Sequence, residues 1–430
     1  MKRLLIISPY FPPANAADMQ RVRMSLPYYH QFGWEAEVVT VDCKYIDIGL
    51  DELLLETVPK NVIIHRIKAL NKQITTKIGL GSVALRSLYY YRKKVNSLLK
   101  QKNYDLIYFS TTQFPVCILG AYWKKKFKIP YVIDLQDPWH SNYYKNKPKN
   151  ERPKKYWLSY RLNKYLEPLA LRHADGIISV SENYISDIKT RYPELENAPS
   201  SIITFSAFPP DMQIAIHNRD QFPPILLPDF INLVYIGRGG RDMHKAIIPV
   251  FAALRLGMAK QSFLFSKLKL YFIGTSYAPA GQGEQTIMPL ARIYGIENQI
   301  IEITDRISYY RTLSTLQAAD ALFIPGSDDP AYSASKIYPY LLANRPLLAV
   351  INADSPIAEI LKEYNIKDVY TYNKTPEVEL KVMAFLMNLL TGAIDLPDYN
   401  INAIEKYGAK NMTKKQCLLF NNVLEQVKFS

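Results

Sequence analysis

The sequence predicts an α/β protein built from two doubly wound domains, each a parallel sheet with helices on both faces. Its 430 residues are more than one ordinary core organises, which favours two domains. Short apolar runs alternate with helix-length amphipathic segments, the pattern of parallel strands joined by helices. This alternation begins again after a proline-rich stretch. A doubly wound fold in two copies accounts for all three observations.

The first domain is predicted over residues 1–204. Its buried strands are expected at Leu4–Ile7, Glu37–Val41, Val62–His65, Leu106–Phe109, Tyr131–Ile133 and Ile177–Val180. Helical spacing is present between them, at residues 16–32, 83–102, 115–127, 154–172 and 182–191. The uncharged stretch 106–123 is long enough to be tested as a membrane span. Its central polar residues favour a strand, a loop and a helix instead.

A linker is predicted over residues 205–229, which contain five prolines, and a second domain over residues 230–400. Its strands are expected at Ile231–Ile236, Leu268–Ile273, Gln299–Ile303, Ala321–Pro325, Leu347–Val350 and Val369–Tyr370. Residues 401–430 predict a last helix, expected to pack at the domain junction. Ligands of parallel α/β sheets bind beyond the carboxyl ends of the strands. Two such domains facing each other therefore predict a cleft lined by strand-following residues.

The net charge of +14 is concentrated in the first half of the chain. Residues 1–220 hold 32 Lys and Arg against 20 Asp and Glu, most densely over 121–172. This excess predicts attraction to phosphate-bearing substrates, nucleic acid or an anionic bilayer, unless it is only a solvated surface. Cys43, Cys117 and Cys417 are too scattered for a disulfide framework or a cysteine-based zinc site. We therefore expect a cytoplasmic location.

The loop after the first strand predicts a helix start near a ligand. Asn15 is placed as an N-cap, with Asp18 three residues later, so a helix is expected from Ala16. The small side chains of Ala16 and Ala17 would let a phosphate approach the free amides of that helix. Ordinary helix capping explains the same residues without a ligand.

The loop after the strand at Tyr131–Ile133 carries two carboxylates, an indole and an imidazole. Asp137 is the residue predicted to orient a hydroxyl group, while an aromatic ring could stack on a sugar or a base. Two other interpretations remain open at this stage. Asp134, Asp137 and His140 could bind a metal ion, or Asp137 could simply cap the turn before a proline.

A glycine-rich loop follows the strand at Ile231–Ile236. Its glycines allow close approach to a diphosphate, which Arg238, Arg241 and Lys245 could neutralise. Asp242 stands where the dinucleotide-binding fingerprint needs its third glycine, so a hydride-transferring enzyme is not predicted. Further along, Ser333 and Ser335 are expected to begin a helix whose amides face the ligand, and Lys336 would add a cation.

In their order along the chain, these motifs resemble the nucleotide-sugar glycosyltransferases with the GT-B fold, especially the retaining glycosyltransferase family 4. The resemblance rests on Phe11-Pro12-Pro13 with Ala16-Ala17, Asp134-Leu135-Gln136-Asp137-Pro138-Trp139, Ala174 to Ser181, Tyr235-Ile236-Gly237-Arg238 with Lys245, and Ser335 to Pro346. It implies two Rossmann-like domains facing across a cleft, the N-terminal one for the acceptor and the C-terminal one for the sugar-nucleotide donor.

The same resemblance implies roles for single residues. Arg238 and Lys245 would grip the donor diphosphate, with Arg241 as a replacement for Lys245. The amides of 333–336 would add phosphate contacts, and the loop carrying Arg306 and Ile307 would lie beside the nucleotide base. Apart from the resemblance, the residues of the loop after Tyr131–Ile133 lead us to assign Asp137 as the catalytic residue that positions the acceptor hydroxyl.

The sequence also departs from the family. Alanines replace its usual glycine pair at positions 16 and 17. Ala331 and Pro339 stand where the family has two glutamates, the second of which holds the ribose. Ribose binding is therefore expected to be different, weak or absent.

The predicted function is a retaining, metal-independent transfer of a sugar from a nucleotide-diphosphate sugar to a hydroxyl acceptor. No cofactor is expected beyond that co-substrate. The expected acceptor is lipid-linked or a saccharide, in cell-surface polysaccharide assembly, and an anionic inner membrane face is a further partner. The alternatives are a non-catalytic relative acting as a partner subunit and a nucleotide-sugar 2-epimerase. Nucleic-acid binding is not predicted, because no RNA- or DNA-binding motif accompanies the charge.

Overall fold

The structure, a computed structural model, describes residues 1–142, 145, 148–149, 152, 156–328 and 337–429. It divides into two compact units. The first unit is Met1–Ser206 together with the C-terminal segment from Tyr407, and the second unit is Ala207–Lys406. Each unit contains its own parallel sheet with helices, as predicted.

The first unit is built on a seven-stranded sheet in its described residues. The strands are β1 (Lys2–Ile7), β2 (Trp34–Val41), β3 (Ile63–Ile67), β4 (Leu106–Ser110), β5 (Tyr131–Leu135), β6 (Gly176–Ser179) and β7 (Ser200–Ile202). Their order is β3-β2-β1-β4-β5-β6-β7, with parallel pairing between neighbours. The strand order reverses between β1 and β4, so the switch point of this sheet lies there. Strand β7, short and partly exposed, was not predicted.

Helices cover both faces of this sheet, and α16 comes from the far end of the chain. They are α1 (Gln20–Ser25), α2 (Lys72–Thr75), α3 (Val83–Gln101), α4 (Ile118–Phe127), α5 (Tyr156–Leu171), α6 (Glu182–Arg191) and α16 (Ala409–Phe429). Alternate residues of β1 and β4 belong to two different core clusters, which shows that both faces are buried. Phe420 of α16 lies 5.5 Å from the Trp34 ring and 5.1 Å from the Tyr108 ring.

The second unit holds a six-stranded parallel sheet in the part of it that is described. Its strands are β8 (Ile231–Ile236), β9 (Leu268–Ile273), β10 (Ile300–Ile303), β11 (Ala321–Pro325), β12 (Leu347–Ile351) and β13 (Val369–Thr371), in the order β10-β9-β8-β11-β12-β13. The switch point therefore lies between β8 and β11. The helices are α7 (Pro209–His217), α8 (His244–Lys260), α9 (Ser262–Phe265), α10 (Met288–Tyr294), α11 (Tyr309–Ala318), α12 (Ile337–Leu342), α13 (Ile357–Glu363), α14 (Val378–Thr391) and α15 (Ile401–Lys406).

The unit boundaries differ from the expected domain limits in two places. Helix α7 lies inside the stretch expected to be a linker, and Asp211 of this helix accepts hydrogen bonds from Tyr309 at 2.8 Å and Tyr310 at 2.9 Å. The expected last helix is divided: α15 belongs to the second unit and α16 to the first. Among the described helices, none has both the length and the apolar character needed to cross a membrane.

Candidate functional site

The first candidate site lies at the switch point of the first unit, where the loops after β1 and β4 meet. Asp18 joins them: its Oδ2 accepts hydrogen bonds from Thr111 Oγ1 at 2.9 Å, Thr112 N at 3.0 Å and Thr112 Oγ1 at 3.2 Å. Burial raises the pKa of Asp18, although these donors oppose the rise. A carboxylate is thus held at the strand ends by groups far away in sequence.

This geometry corrects the predicted helix start. The chain forms a 3₁₀ turn at Ala17–Met19 before α1, with Ala16 at the cap position and no side-chain cap hydrogen bond. Asn15 is therefore not the cap residue, and Asp18 accepts hydrogen bonds from Thr111 and Thr112 instead of closing a capping box. Ala16 is buried and Ala17 is exposed at the turn.

A buried ion pair lies beneath this loop. Arg21 Nε is 2.7 Å from Asp134 Oδ2, with side-chain exposures of 3% and 0%. The same carboxylate oxygen accepts hydrogen bonds from Ser110 Oγ at 2.9 Å and Gln136 Nε2 at 3.0 Å. The Arg21 guanidinium also donates to the carbonyl oxygens of Ile203 and Thr204. Asp134 is therefore a structural anchor that ties β5 to the end of β7.

The loop that follows β5 is fixed on both sides of Asp137. Gln136 Nε2 donates to the Asp18 carbonyl at 3.1 Å, and the Trp139 ring stacks on Phe114 at 5.3 Å. The backbone N–H of His140 donates to a buried glutamate, Glu167, at 2.8 Å. These contacts leave Asp137 as an exposed side chain on a loop that is otherwise anchored.

The environment of Asp137 changes its acid-base behaviour. Protein atoms on one side of the carboxyl, and the nearby Asp18 carboxylate, raise the pKa of Asp137. A carboxyl with a raised pKa is better suited to accept a proton from a hydroxyl group than an ordinary surface aspartate. The metal interpretation of Asp134, Asp137 and His140 has no support in the described ranges, where no group of three His, Cys, Asp or Glu side chains is placed to hold an ion.

The second candidate site is the glycine-rich loop after β8. Gly237 N donates to Ile273 O at 2.9 Å, and Gly239 N donates to Thr275 O at 2.8 Å, so the loop lies against the end of β9. A Cβ on Gly239 would stand 2.8 Å from Thr286 Oγ1, closer than a Cβ atom approaches other heavy atoms. The loop is therefore compact because this position is glycine.

Across the switch point of the second unit, Asp242 joins the loops after β8 and β11. Arg238 donates to both Asp242 oxygens, at 2.9 and 2.5 Å, and Ser327 Oγ donates to Asp242 Oδ2 at 2.7 Å. Burial raises the pKa of Asp242, but the bonds from Arg238 and Ser327 outweigh it and leave the pKa below the ordinary value. The guanidinium of Arg238 is thus positioned by a bidentate carboxylate contact.

The other predicted cations lie at the same edge of the sheet with looser contacts. Lys245 is exposed at the start of α8, its Nζ 4.0 Å from Asp328, and Arg241 is exposed in the preceding 3₁₀ turn. Arg306, after β10, lies over the Tyr277 ring at 3.9 Å, and Ile307 beside it is partly buried. The predicted Ser333, Ser335 and Lys336 lie outside the described residues.

Two residues that support this edge were missed by the sequence analysis. The buried Glu302 of β10 accepts hydrogen bonds from Thr275 Oγ1 at 3.0 Å and from the amides that begin α10, at 2.8 to 3.1 Å. The Tyr340 hydroxyl of α12 bonds to the N and O of Ile236 at 2.7 and 3.0 Å. A lone glutamate in an apolar strand was the only signal for the first of them.

The raised pKa of Asp18 predicts a pH-dependent gain in stability for the Asp18→Asn variant. For a carboxyl with a raised folded-state pKa, stability is fully present below the unfolded pKa and is lost as the pH rises through the folded pKa. The asparagine does not titrate. From about pH 4 to about pH 7, we expect the free energy of unfolding of the variant to rise relative to wild type. Urea unfolding followed by tryptophan fluorescence measures the free energy of unfolding of both proteins. If the stability of the variant relative to wild type falls as the pH rises, the prediction is wrong.

The fold is shared with solved glycosyltransferases. HepE from Anabaena, solved with UDP, aligns with a TM-score of 0.54 and 15% identity over 98% of this chain and 100% of that chain. The α,α-trehalose-phosphate synthase (UDP-forming) of Burkholderia xenovorans, solved with glucose-6-phosphate, aligns with a TM-score of 0.57. The two chains are 12% identical over 97% of this chain and 100% of that chain. WaaG, a glycosyltransferase involved in lipopolysaccharide biosynthesis, aligns with a TM-score of 0.50 and 14% identity over 99% of both chains. The fold is GT-B, as predicted.

A family comparison adds to this likeness in fold. Residues 65–203, which lie within the first unit, match the model for Glycosyltransferase Family 4. The match covers about a third of the chain, including β4 to β7 and the Asp137 loop. No curated protein sequence matches this chain.

Proposed function

We propose that this protein transfers a sugar from a nucleotide-diphosphate sugar to a hydroxyl acceptor. The observation that carries the proposal is the set of cations at the strand ends of the second unit. Arg238 is positioned by Asp242 at the switch point, and Lys245 and Arg306 lie at the same sheet edge. Parallel α/β sheets bind nucleotides at such an edge. HepE, which shares the fold, has been solved with UDP and with UDP-glucose bound.

In the proposed reaction, these cations stabilise the diphosphate leaving group. The bond between the sugar and the donor diphosphate breaks, and the diphosphate takes up the negative charge. Fixed cations stabilise that developing charge without reorganising during the reaction. Arg238 suits this role because its ion pair sets its orientation, and Lys245 supplies a second charge. These side chains support a transfer without a metal ion, and we assign retention of configuration from the resemblance to family 4.

The first unit supplies the acceptor chemistry in this proposal. The acceptor oxygen forms the new bond to the sugar as the bond to the diphosphate breaks, and Asp137 is the carboxylate assigned to position the hydroxyl and to accept its proton. Its raised pKa and its anchored loop support that role. We propose a lipid-linked or saccharide acceptor, in keeping with the involvement of WaaG in lipopolysaccharide biosynthesis.

Donor binding tests the proposed function directly. UDP-glucose and GDP-mannose are titrated calorimetrically into the wild-type protein and into Arg238→Ala. We expect one nucleotide sugar to bind, and Arg238→Ala to weaken its binding by at least about tenfold, because a charged hydrogen bond is lost and the Asp242 carboxylate loses the cation that neutralises it. Arg255→Ala, which changes an exposed arginine of α8, is the matched control and should bind as wild type.

Two results would count against the proposal. A folded protein that binds neither sugar nucleotide nor free UDP and GDP would favour a non-catalytic role. Unchanged donor affinity in Arg238→Ala would show that Arg238 does not bind the donor diphosphate.

A further inference from the structure

We propose that the first unit docks on an anionic bilayer surface through the exposed face of α5 and the neighbouring segment 70–80. This inference is independent of the proposed function. The face, called here the basic aromatic face, consists of Trp157, Leu158, Arg161, Lys164, Tyr165 and Leu169.

The helical repeat places these six side chains on one side of α5. With 3.6 residues per turn, positions 157, 161, 164 and 165 recur along the same face, and 158 and 169 flank it. Trp157 is 63% exposed and Tyr165 is 68% exposed, while Leu166 and Ala170 on the opposite side are buried in the core. The helix therefore has apolar side chains on both sides: one side packs in the core, and the other exposes large apolar groups together with cations.

The segment 70–80 extends this surface. Leu158 Cδ2 lies 3.3 Å from the point that a Cβ on Gly79 would occupy, so the start of α5 packs beside the turn that follows α2. Within the segment, Ile74 is 67% exposed, Leu70 is also exposed, and Lys77 is an exposed cation. Aliphatic and aromatic side chains from two elements thus form one apolar area with cations among them.

Cations outnumber acidic groups on this surface, although Lys72 of the segment 70–80 is paired with the exposed Asp47 at 3.0 Å. Among the described residues of 70–80 and 156–172, the single acidic side chain is Glu167, which is buried and bonded to Arg191 and Tyr192. Arg161 and Lys164 therefore face solvent without an acidic side chain on their own helix face. Attraction to anionic lipid contributes roughly 1 kcal/mol for each such cation near the membrane surface.

The mixture of side chains identifies the occupant as a bilayer. Tryptophan and tyrosine favour the headgroup region, where an apolar ring and a polar atom are both accommodated. Leucine and isoleucine can enter the acyl boundary while lysine and arginine remain at the headgroups. A nucleic acid would use the cations and the aromatic rings but would leave the exposed aliphatic side chains unburied.

Vesicle binding tests this docking. Wild-type protein is mixed with vesicles of phosphatidylcholine alone and of phosphatidylcholine with phosphatidylglycerol. Trp34, Trp123 and Trp139 are buried, so a blue shift of tryptophan emission reports Trp157 entering the bilayer. We expect the shift, and cosedimentation, only with the anionic vesicles. Arg161→Gln/Lys164→Gln should weaken binding about thirtyfold at low salt. Trp157→Ser/Tyr165→Ser should weaken it at least about tenfold.

The second unit offers a matched control. Phe263 is 79% exposed and carries Lys267 at 4.8 Å from its ring, an exposed aromatic–cation pair like Trp157 and Arg161. Phe263→Ser/Lys267→Gln should bind anionic vesicles as wild type does. Equal binding by the Trp157→Ser/Tyr165→Ser variant, or no binding by wild type, overturns the proposal. A dimer in vesicle-free sedimentation that this variant abolishes would assign the face to a second copy of the chain and also overturn it.

Discussion

Removing the charge pair of Arg238 and Asp242 should lower kcat about 10²- to 10³-fold, with the fold intact. The reason is that a cation held beside the leaving diphosphate stabilises charge that develops only in the transition state. The double variant Arg238→Ala/Asp242→Asn is the appropriate change. A single Arg238→Ala would leave the Asp242 carboxylate facing the diphosphate and would add repulsion to the loss of the cation. Steady-state transfer kinetics with the donor identified by calorimetry measures the effect.

A second ion pair of the same unit provides the control for this experiment. Lys374 Nζ and Asp354 Oδ1 are 3.0 Å apart and both side chains are largely exposed. Lys374→Ala/Asp354→Asn removes the same two charges and should leave kcat unchanged. If both double variants lose activity equally, net charge explains the result. If neither does, Arg238 does not act on the leaving group.

Breaking the buried pair of Arg21 and Asp134 should destabilise the first unit by about 3–5 kcal/mol, because Arg21→Met leaves an uncompensated carboxylate in the interior. The contact is 2.7 Å with almost no exposure on either side. All four tryptophans lie in the first unit, so urea unfolding followed by tryptophan emission reports this unit. Arg21→Met/Asp134→Asn removes the buried charge and should recover much of the loss.

The surface pair of Arg172 and Glu194 separates burial from pairing as the cause. These side chains are 3.6 Å apart and more than half exposed. Arg172→Met is the same substitution in the same unit, and it should change the free energy of unfolding by less than about 1 kcal/mol. An equal loss in both variants would show that the burial of the Arg21 pair has no special effect.

The strands were predicted well because a buried parallel strand has a distinctive sequence. Strands β8 and β9 begin and end at the predicted residues. Each is apolar or aromatic except at its second position, Asn232 or Lys269, and residues buried on both faces of a sheet leave little alternative. Strand β7, in contrast, is three residues long and partly exposed, so it had no such run to detect.

Proline was the least reliable local signal. Pro209 and Pro210 contributed to the predicted linker, but they open α7 at its first positions. A proline there costs little, because the first amides of a helix have no intrahelical acceptor. The tertiary contacts of Asp211 with Tyr309 and Tyr310 then hold that helix against α11.

What the sequence determined by itself was the fold class and the placement of the candidate site residues after the strands. Asp137, Arg238 and Lys245 could be named in this way because parallel strands bring their carboxyl ends to one edge. What only the tertiary structure decided was the partner of each charged group. Asp18 binds Thr111, 93 residues away, instead of capping the nearest helix. Such a choice depends on distances between loops that meet only after the sheet has formed.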